Sequence, residues 1–279
     1  MKRLEVKDES KKRIPFIFLF FSGVAVLLVV FAAYTVFRSE PAREVTPLQA
    51  ELKPQRNLEE LVDKQVFKRA YIEANGGFNH LQNLTTLKMN GRLRLKDDDV
   101  DFDFFILKRR PDMMLMTYKF GAYDLTYGSK DGKFWMRQSY PEKPDKITDV
   151  SEEKQANLAP SINMFGPLLS AYLDQSDSIE SIELADWEGH ACLHIVMKSL
   201  DDGSTTELYV DGDSLQILVQ IVGLASGETT MMTFSDYVHV NKVNIPFTSV
   251  LEKGGKEINR IFLDSVQFNV GASSSLFEN

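Results

Sequence analysis

The sequence predicts a mainly β protein of the α+β class, preceded by a membrane-spanning helix. Three observations support this prediction. Residues 14–37 carry no charged side chain, residues from Thr85 onward alternate between apolar and polar types, and short links rich in Gly and Asp separate the alternating stretches. Alternation with a period of two is typical of strands with one buried face. Links this short join antiparallel neighbours, because parallel strands need long crossovers.

The first element is the apolar run 14–37. A helix rises about 1.5 Å per residue, so this run covers the roughly 30 Å hydrocarbon core of a bilayer. Cations in short flanking segments stay in the cytoplasm. The cations that precede the run are Lys2, Arg3, Lys7, Lys11, Lys12 and Arg13, whereas only Arg38 and Arg43 follow it closely. We therefore expect a cytoplasmic basic tip at 1–13, a single-pass helix of the inner membrane at 14–37, and an exported remainder.

A cleaved secretion signal is the alternative interpretation of this run. Such a signal shares the basic start but has a shorter apolar core and a small-x-small cleavage site. The run here is longer, and Phe31 spoils the most suitable cleavage site after Ala33. The sequence therefore favours an uncleaved signal anchor, and either interpretation places the rest of the chain in the periplasm.

Composition bounds what the exported part can do. The chain of 279 residues leaves roughly 240 after the anchor, which is enough for one sizeable core. Its formal net charge is -8, which disfavours nucleic-acid binding, because affinity for phosphates comes from clustered Lys and Arg. Cys192 is the single cysteine, so an internal disulfide is excluded and a packed core must supply the stability.

Residues 38–56 predict a semi-extended linker, because they contain three prolines among mixed charges and no apolar period. A periplasmic domain is expected to follow at 57–279. It begins with a helix over 57–74, in which Asn57 is the cap and Glu60 stands in the capping-box position. Gly76 and Gly77 end this helix.

Five strands are expected next, near 87–95, 100–106, 113–118, 122–127 and 133–138. The alternation breaks between Ser139 and Ser178, where the sequence predicts a loop and two helical pieces. The second piece contains Gly166 and Pro167, which predict a broken or newly started helix. Seven further strands are expected near 179–185, 190–198, 205–210, 215–221, 228–239, 246–253 and 256–270.

About a dozen antiparallel strands with one apolar face each must bury that face. They can do so as a sandwich, as a barrel, or as a sheet curled around something apolar. The helical pieces 57–74 and 161–173 have apolar sides that fit the mouth of a curled sheet. Helices that fill a barrel imperfectly leave a cavity, so the sequence predicts a pocket for a hydrophobic ligand.

Two passages resemble the LolA-like family of outer-membrane lipoprotein-sorting proteins. They are EANGGFNHLQNLTTLKMNGRLRL at 73–95 and FSDYVHVNKVNIPFTSVLEKGGKEINRIFLDSVQFNV at 234–270. In the second passage, Lys242 replaces the usual Gly of the link between two strands. The resemblance spans roughly 57–277 and implies an unclosed antiparallel β-barrel whose helices form a lid over an apolar cavity. That cavity would receive acyl chains of lipoproteins or other lipids.

Alternation along the strands and the insertion selects ten candidate lipid-binding residues. They are Leu93, Phe104, Ile106, Leu115, Trp135, Phe165, Leu168, Leu169, Leu193 and Ile195. A soluble carrier must leave the inner membrane, whereas an anchored protein cannot. The anchored form is therefore expected to pass lipid between neighbours in the envelope, or to belong to a transport complex there.

Other functions find little support in the sequence. His190 and His194 would share a strand face at about 13 Å, too far apart to chelate one metal ion. The segment GSKDGK at 128–133 lacks the spacing and hydroxyl residue of a phosphate-binding loop, and no GxSxG elbow occurs. We therefore expect no enzyme, no metal and no cofactor. The alternative function is an anchored interaction subunit of an envelope complex, whose core is filled by its own side chains.

Overall fold

The computed structural model describes residues 56–96, 100–174, 177–200, 203–223 and 229–279. The predicted tip, membrane span and most of the linker therefore lie outside the described residues. Within the described ranges, no helix is both long and apolar enough to cross a membrane. The described residues form one antiparallel sheet of thirteen strands, with short helices before it and in its middle.

The chain enters the domain through a short helical segment. A 3-10 turn at Glu60–Val62 precedes α1, Lys64–Ala74. Asp63 caps α1, because its side chain accepts hydrogen bonds from the backbone N–H groups of residues 65 and 66. The prediction that Asn57 caps the long helix was wrong: its amide donates to Glu60 Oε1 at 3.0 Å and so starts the 3-10 turn instead.

Gly76 and Gly77 end α1, as predicted. Both have positive φ, 95° and 85°, a conformation that glycine adopts without strain. The backbone N–H of Gly77 donates to Ile72 O at 2.9 Å, which closes the last helical turn. The short helix α2, Phe78–Gln82, follows directly and leads into the sheet.

Six strands form the first half of the sheet. They are β1 Thr86–Leu95, β2 Val100–Arg109, β3 Met113–Phe120, β4 Tyr123–Lys130, β5 Lys133–Tyr140 and β6 Lys143–Asp149. Sequence analysis missed β6, because it contains Pro144 and lacks an alternating pattern. All but one of its residues are exposed, as expected of an edge strand, where proline is tolerated.

The segment between β6 and β7, residues 150–174, is called the insertion. It contains α3 Glu152–Leu158, a 3-10 turn at Ala159–Ile162 and α4 Pro167–Leu173. The predicted new start is confirmed, because Pro167 occupies the first turn of α4. Proline is favoured there, since the first N–H groups of a helix have no partner within it.

Seven strands form the second half. They are β7 Asp177–Trp187, β8 His190–Ser199, β9 Thr205–Asp211, β10 Ile217–Gly223, β11 Thr229–Val240, β12 Val243–Lys253 and β13 Lys256–Phe268. The turn between β11 and β12 consists of Asn241 and Lys242, with φ of 48° and 66°. Lys242 therefore adopts the left-handed conformation of the glycine it replaces, and β12 begins earlier than predicted.

The strand order is β6-β5-β4-β3-β2-β1-β13-β12-β11-β10-β9-β8-β7. Each strand pairs with its sequence neighbour except where β1 meets β13, so this pairing joins the two halves. The outermost strands, β6 and β7, are not paired with each other within the described residues. The sheet is therefore an unclosed one, which confirms the predicted mainly β antiparallel architecture.

We call the face of the sheet that carries Met89, Ile106 and Met116 the inner face, because these side chains belong to the main core. The opposite face is the outer face. Side chains from both halves of the sheet, from α1 and from the insertion form one continuous core on the inner face. The sheet thus wraps its apolar face around the helices instead of packing against a second sheet.

Candidate functional site

The helices cover the inner face with aromatic and aliphatic side chains. Phe67 and Tyr71 of α1 are buried, as are Leu168 and Leu169 of α4. Tyr172 of α4 brings the two helices together: its ring centroid lies 6.5 Å from that of Phe67 and 6.3 Å from that of Tyr71. The insertion therefore packs against both α1 and the sheet.

A small cavity of about 30 Å³ remains between α1, the insertion and the inner face. Its walls come from α1, β1, the insertion and strands β10 to β12. The lining residues are Tyr71, Asn75, Leu87, Met89, Met164, Phe165, Gly166, Leu169, Leu215, Gln216, Ile217, Phe234, Tyr237, Val243, Asn244, Ile245 and Pro246. This volume holds about two water molecules. Around this cavity, the side chains of α1 and of the insertion pack against the inner face.

One wall of the cavity is held by amide hydrogen bonds. Asn75, at the end of α1, is buried; its Nδ2 donates to Tyr71 O at 2.9 Å, and its Oδ1 accepts from the backbone N–H of Asn244 at 3.1 Å. Asn244 Nδ2 in turn donates to Ala74 O at 3.3 Å. A further bond joins His80 Nε2 and Asn241 O at 2.7 Å. These contacts fix the end of α1 to the β11–β12 turn.

A buried lysine lies on β2, paired across the strands with the cavity-lining residue Leu87 of β1. Lys108 follows Phe104 and Ile106 on the inner side of β2 and is 1% exposed. Its Nζ donates to the backbone carbonyl of Asn163, in the insertion, at 2.7 Å. Burial lowers the pKa of Lys108 to about 7, because the charged ammonium loses its hydration. Lys108 thus connects the sheet to the insertion through one hydrogen bond.

Arg110 stands two residues after Lys108 and also reaches toward the insertion. Its guanidinium lies over the ring of Phe165, 5.2 Å from the centroid. Its Nη2 is 3.9 Å from Asp174 Oδ1, beyond hydrogen-bond distance. Burial raises the pKa of the Asp174 carboxyl, an effect that Arg110 partly offsets.

Eight of the ten candidate lipid-binding residues lie in the core on the inner face. They are Leu93, Phe104, Ile106, Phe165, Leu168, Leu169, Leu193 and Ile195. Phe165 and Leu169 line the cavity itself, and the other six are packed deeper or further along the sheet. Whether any of them binds lipid stays a prediction.

Leu115 and Trp135 have to be corrected, because they lie on the outer face. Their strand neighbours Met114 and Phe134 belong to the inner core, and side chains alternate along a strand. The Trp135 indole instead packs over Gly128 on β4, where an added Cβ would lie 2.1 Å from the ring. Its Nε1 donates to Phe277 O at 3.0 Å, in the 3-10 turn Ser274–Phe277. Trp135 and Phe277 are both buried, so the C-terminal segment covers the indole on the outer face.

Sequence reasoning missed the lysine and most of the cavity lining. The predicted strand 100–106 stops short of Lys108, although Lys108 continues the alternation of Phe104 and Ile106. That continuation was the available signal. The residues contributed by β10 to β12 could not be found, because their approach to α1 depends on the curvature and register of the whole sheet.

The histidines do not assemble a metal site. Among the residues that the structure describes, no three His, Cys, Asp or Glu side chains are placed to hold one ion. His194 Nε2 contacts Glu207 Oε2 at 2.9 Å, and the His194 ring stacks on Tyr209 with centroids 4.9 Å apart. His80 contacts the β11–β12 turn, as described above.

Comparison with known proteins identifies the class of fold. A LolA superfamily protein from Nitrosomonas europaea matches with a TM-score of 0.53 and 9% identity, over 76% of this chain and 97% of that one. A DUF1329 family protein from Desulfovibrio piger matches with a TM-score of 0.50 and 13% identity, over 75% of this chain and 96% of that one. A domain from Vibrio parahaemolyticus described as an outer-membrane lipoprotein-sorting protein gives 0.47 and 12%, over 80% and 97%.

The chain therefore has a LolA-like fold, as the sequence resemblance implied. The matches from Nitrosomonas europaea and Desulfovibrio piger cover 97% and 96% of those proteins, so the likeness concerns the complete fold and not a shared hairpin. No family model matches the sequence, and no curated protein matches it significantly.

Proposed function

We propose that this protein binds an acyl chain of a lipid or lipoprotein between the inner face of the sheet and the insertion. One observation carries the proposal: the apolar face of an unclosed sheet is covered by a separate segment of chain, with a cavity beneath it. A second sheet would cover this face permanently, whereas a segment of short helices can move away from it. The insertion would then act as a lid.

The size of the cavity sets a requirement on this mechanism. About 30 Å³ cannot hold an acyl chain, so the lid must lift and the ligand must replace its side chains. The buried side chains that would leave the inner face are Met164, Phe165, Leu168 and Leu169. Exposing four such side chains costs about 6 to 12 kcal/mol.

Burial of the ligand offsets this cost. Each CH₂ removed from water contributes about 0.8 kcal/mol, so a chain of about a dozen carbons contributes on the order of 10 kcal/mol. The cost of exposing the side chains of the insertion and the gain from burying the acyl chain are therefore similar in size. Binding is therefore an exchange of one apolar group for another, with modest affinity that suits a protein that both accepts and releases its ligand.

We further propose that the protein is anchored in the inner membrane by residues 14–37 and acts in the periplasm, in lipid or lipoprotein trafficking. The support is the uncharged run and the basic residues before it. An anchored binding domain could pass its ligand to a neighbouring protein without leaving the membrane.

The test is mass spectrometry of organic extracts from the purified full chain. Acyl species should co-purify with the wild type and fall at least several-fold in Leu169→Arg, which places a charge in the cavity wall. Leu200→Arg is the matched control, because Leu200 is 64% exposed. Equal acyl content in wild type, Leu169→Arg and Leu200→Arg would contradict binding at the inner face, provided circular dichroism shows that Leu169→Arg is folded.

A second candidate function is docking of a partner protein with no ligand inside. The small cavity favours it, since a core that is nearly filled needs no ligand. Under this candidate, the extracts contain no acyl species beyond those of an unrelated membrane protein prepared in the same way. The same measurement therefore separates the two functions.

A further inference from the structure

Lys108 is a buried cation without an anionic partner. No described carboxylate lies within 4.0 Å of its Nζ, and the Nζ donates instead to the neutral backbone carbonyl of Asn163. Burying an ammonium group without a counter-ion is costly. A methionine of similar length would fill this position in the apolar core without that cost, so the lysine needs an explanation.

Lys108 stands at the border of the cavity. Its direct cross-strand partner is Leu87, which lines the cavity. Asn163, which accepts the hydrogen bond from Nζ, directly precedes the lining residue Met164. A ligand that displaces the insertion from this place therefore removes the one described acceptor of Lys108 and leaves the ammonium facing the vacated space.

A second cation lies beside the first. Arg110 lies in the turn directly after β2, and its guanidinium reaches Phe165 of the insertion. Its Nη2 is buried without a hydrogen-bond partner, and Asp174, at 3.9 Å, is the nearest described carboxylate. Lys108 and Arg110 thus contact the insertion, which contains Asp174, and Arg110 Nη1 also donates to Leu81 O at 3.3 Å. Among these three charged side chains, the basic ones outnumber the acidic one.

We propose that the ligand of the inner face is an anionic amphiphile, and that Lys108, supported by Arg110, binds its anionic group. This inference rests on the proposed function and adds the chemical class of ligand. When the insertion lifts, a carboxylate or phosphate oxygen takes the place of Asn163 O on the Lys108 ammonium, while the acyl chain replaces the apolar side chains of the insertion. The new contact pairs the ammonium with an opposite charge, whereas the carbonyl of Asn163 that it replaces carries none, so the new hydrogen bond is the stronger one.

A purely structural role for Lys108 predicts something different. In that case the lysine only holds the insertion closed, and its loss changes the binding of every ligand by the same factor. In our proposal its loss changes the preference between anionic and neutral ligands of equal chain length. The decisive quantity is therefore a ratio of affinities.

The experiment uses the full chain in a nonionic detergent, with photoreactive hexadecanol as tracer. Crosslinking is measured at the peptide that contains Phe165, while palmitate, hexadecyl phosphate or unlabelled hexadecanol competes. Partitioning of each competitor into detergent is the same for wild type and variant, so it cancels when the two are compared. Palmitate and hexadecyl phosphate separate a carboxylate ligand from a phosphate ligand.

In Lys108→Met, at least one anionic competitor should lose about tenfold of its affinity relative to hexadecanol. Lys88→Met is the matched control: it removes a lysine from the outer side of β1 and should leave all ratios unchanged. The inference would be overturned if the affinities of the anionic competitors relative to hexadecanol were the same in Lys108→Met as in the wild type. It would also be overturned if all three competitors lost affinity by the same factor. If hexadecanol never reaches the Phe165 peptide in any variant, the proposed function itself fails.

Discussion

At the scale of single residues, Lys108 is the feature that most distinguishes this core. It is buried, it contacts the insertion, and its pKa is lowered from 10.5 to about 7 by burial. The sign of its effect on stability follows from proton binding. Between these two values the unfolded chain binds the proton and the folded chain does not, so stability rises with pH.

We expect the free energy of unfolding to rise with pH more steeply in the wild type than in Lys108→Met. Between pH 7 and pH 9.5, the free energy of unfolding of the wild type should rise by about 3 kcal/mol more than that of Lys108→Met, since one pKa unit corresponds to about 1.4 kcal/mol. Below pH 7 the lysine is charged in both states, and the difference should become constant. Urea denaturation of both proteins over this range is the measurement, and parallel curves would show that Lys108 keeps an ordinary pKa.

Residues also show where sequence reasoning reaches its limit. The strand β3 was recognised, but Leu115 was chosen for the inner face although Met114 and Met116 occupy it. Both faces of β3 carry apolar side chains, because the C-terminal segment covers part of the outer face. When both faces are apolar, alternation alone cannot say which is inner.

At the scale of elements, the pairing of β1 with β13 joins the two halves of the sheet. Gly91 lies at the irregularity in this pairing. A Cβ added there would lie 2.0 Å from Phe262 O on β13, closer than any real contact. The absence of a side chain at Gly91 therefore permits the close approach of the two strands.

Gly91→Ala should destabilise the protein by about 2 to 4 kcal/mol, because the backbone of β13 has to move away. Gly223→Ala is the control, since an added Cβ there meets no atom of the described residues within 4 Å, and it should change stability by less than about 0.5 kcal/mol. Urea midpoints of the two variants provide the measurement. Equal midpoints would mean that the β1–β13 pairing is looser than described.

Elements were largely predictable from local signals. Twelve of the thirteen strands and the new helix start at Pro167 followed from alternation, turn residues and proline. The edge strand β6 did not follow from these signals, because an exposed edge strand needs no apolar face. The cap at Asp63 did not follow from them either, because several residues near Asn57 suit a helix cap. The shape of the cavity depends on how all elements meet, and no local pattern encodes it.

At the scale of the whole molecule, the uncharged run 14–37 precedes the described fold along the chain. We expect residues 14–37 to remain attached to the LolA-like domain. Intact-mass spectrometry of the protein extracted from membranes should give about 31.7 kDa, the mass of the full chain. If the measured mass instead corresponded to a chain that lacks its first three to four dozen residues, the signal would be cleaved. The domain would then act as a soluble carrier.

Binding of an acyl chain beneath the insertion is tested most directly by mapping where a photoreactive fatty acid reacts with the protein. Cells that produce the full chain are grown with diazirine-labelled palmitate and irradiated, and the crosslinked peptides are identified by mass spectrometry. We expect crosslinks at inner-face residues near the cavity, such as Met89, Phe165 and Ile245. Crosslinks restricted to residues 14–37, or spread equally over the outer face, would contradict the proposed binding site.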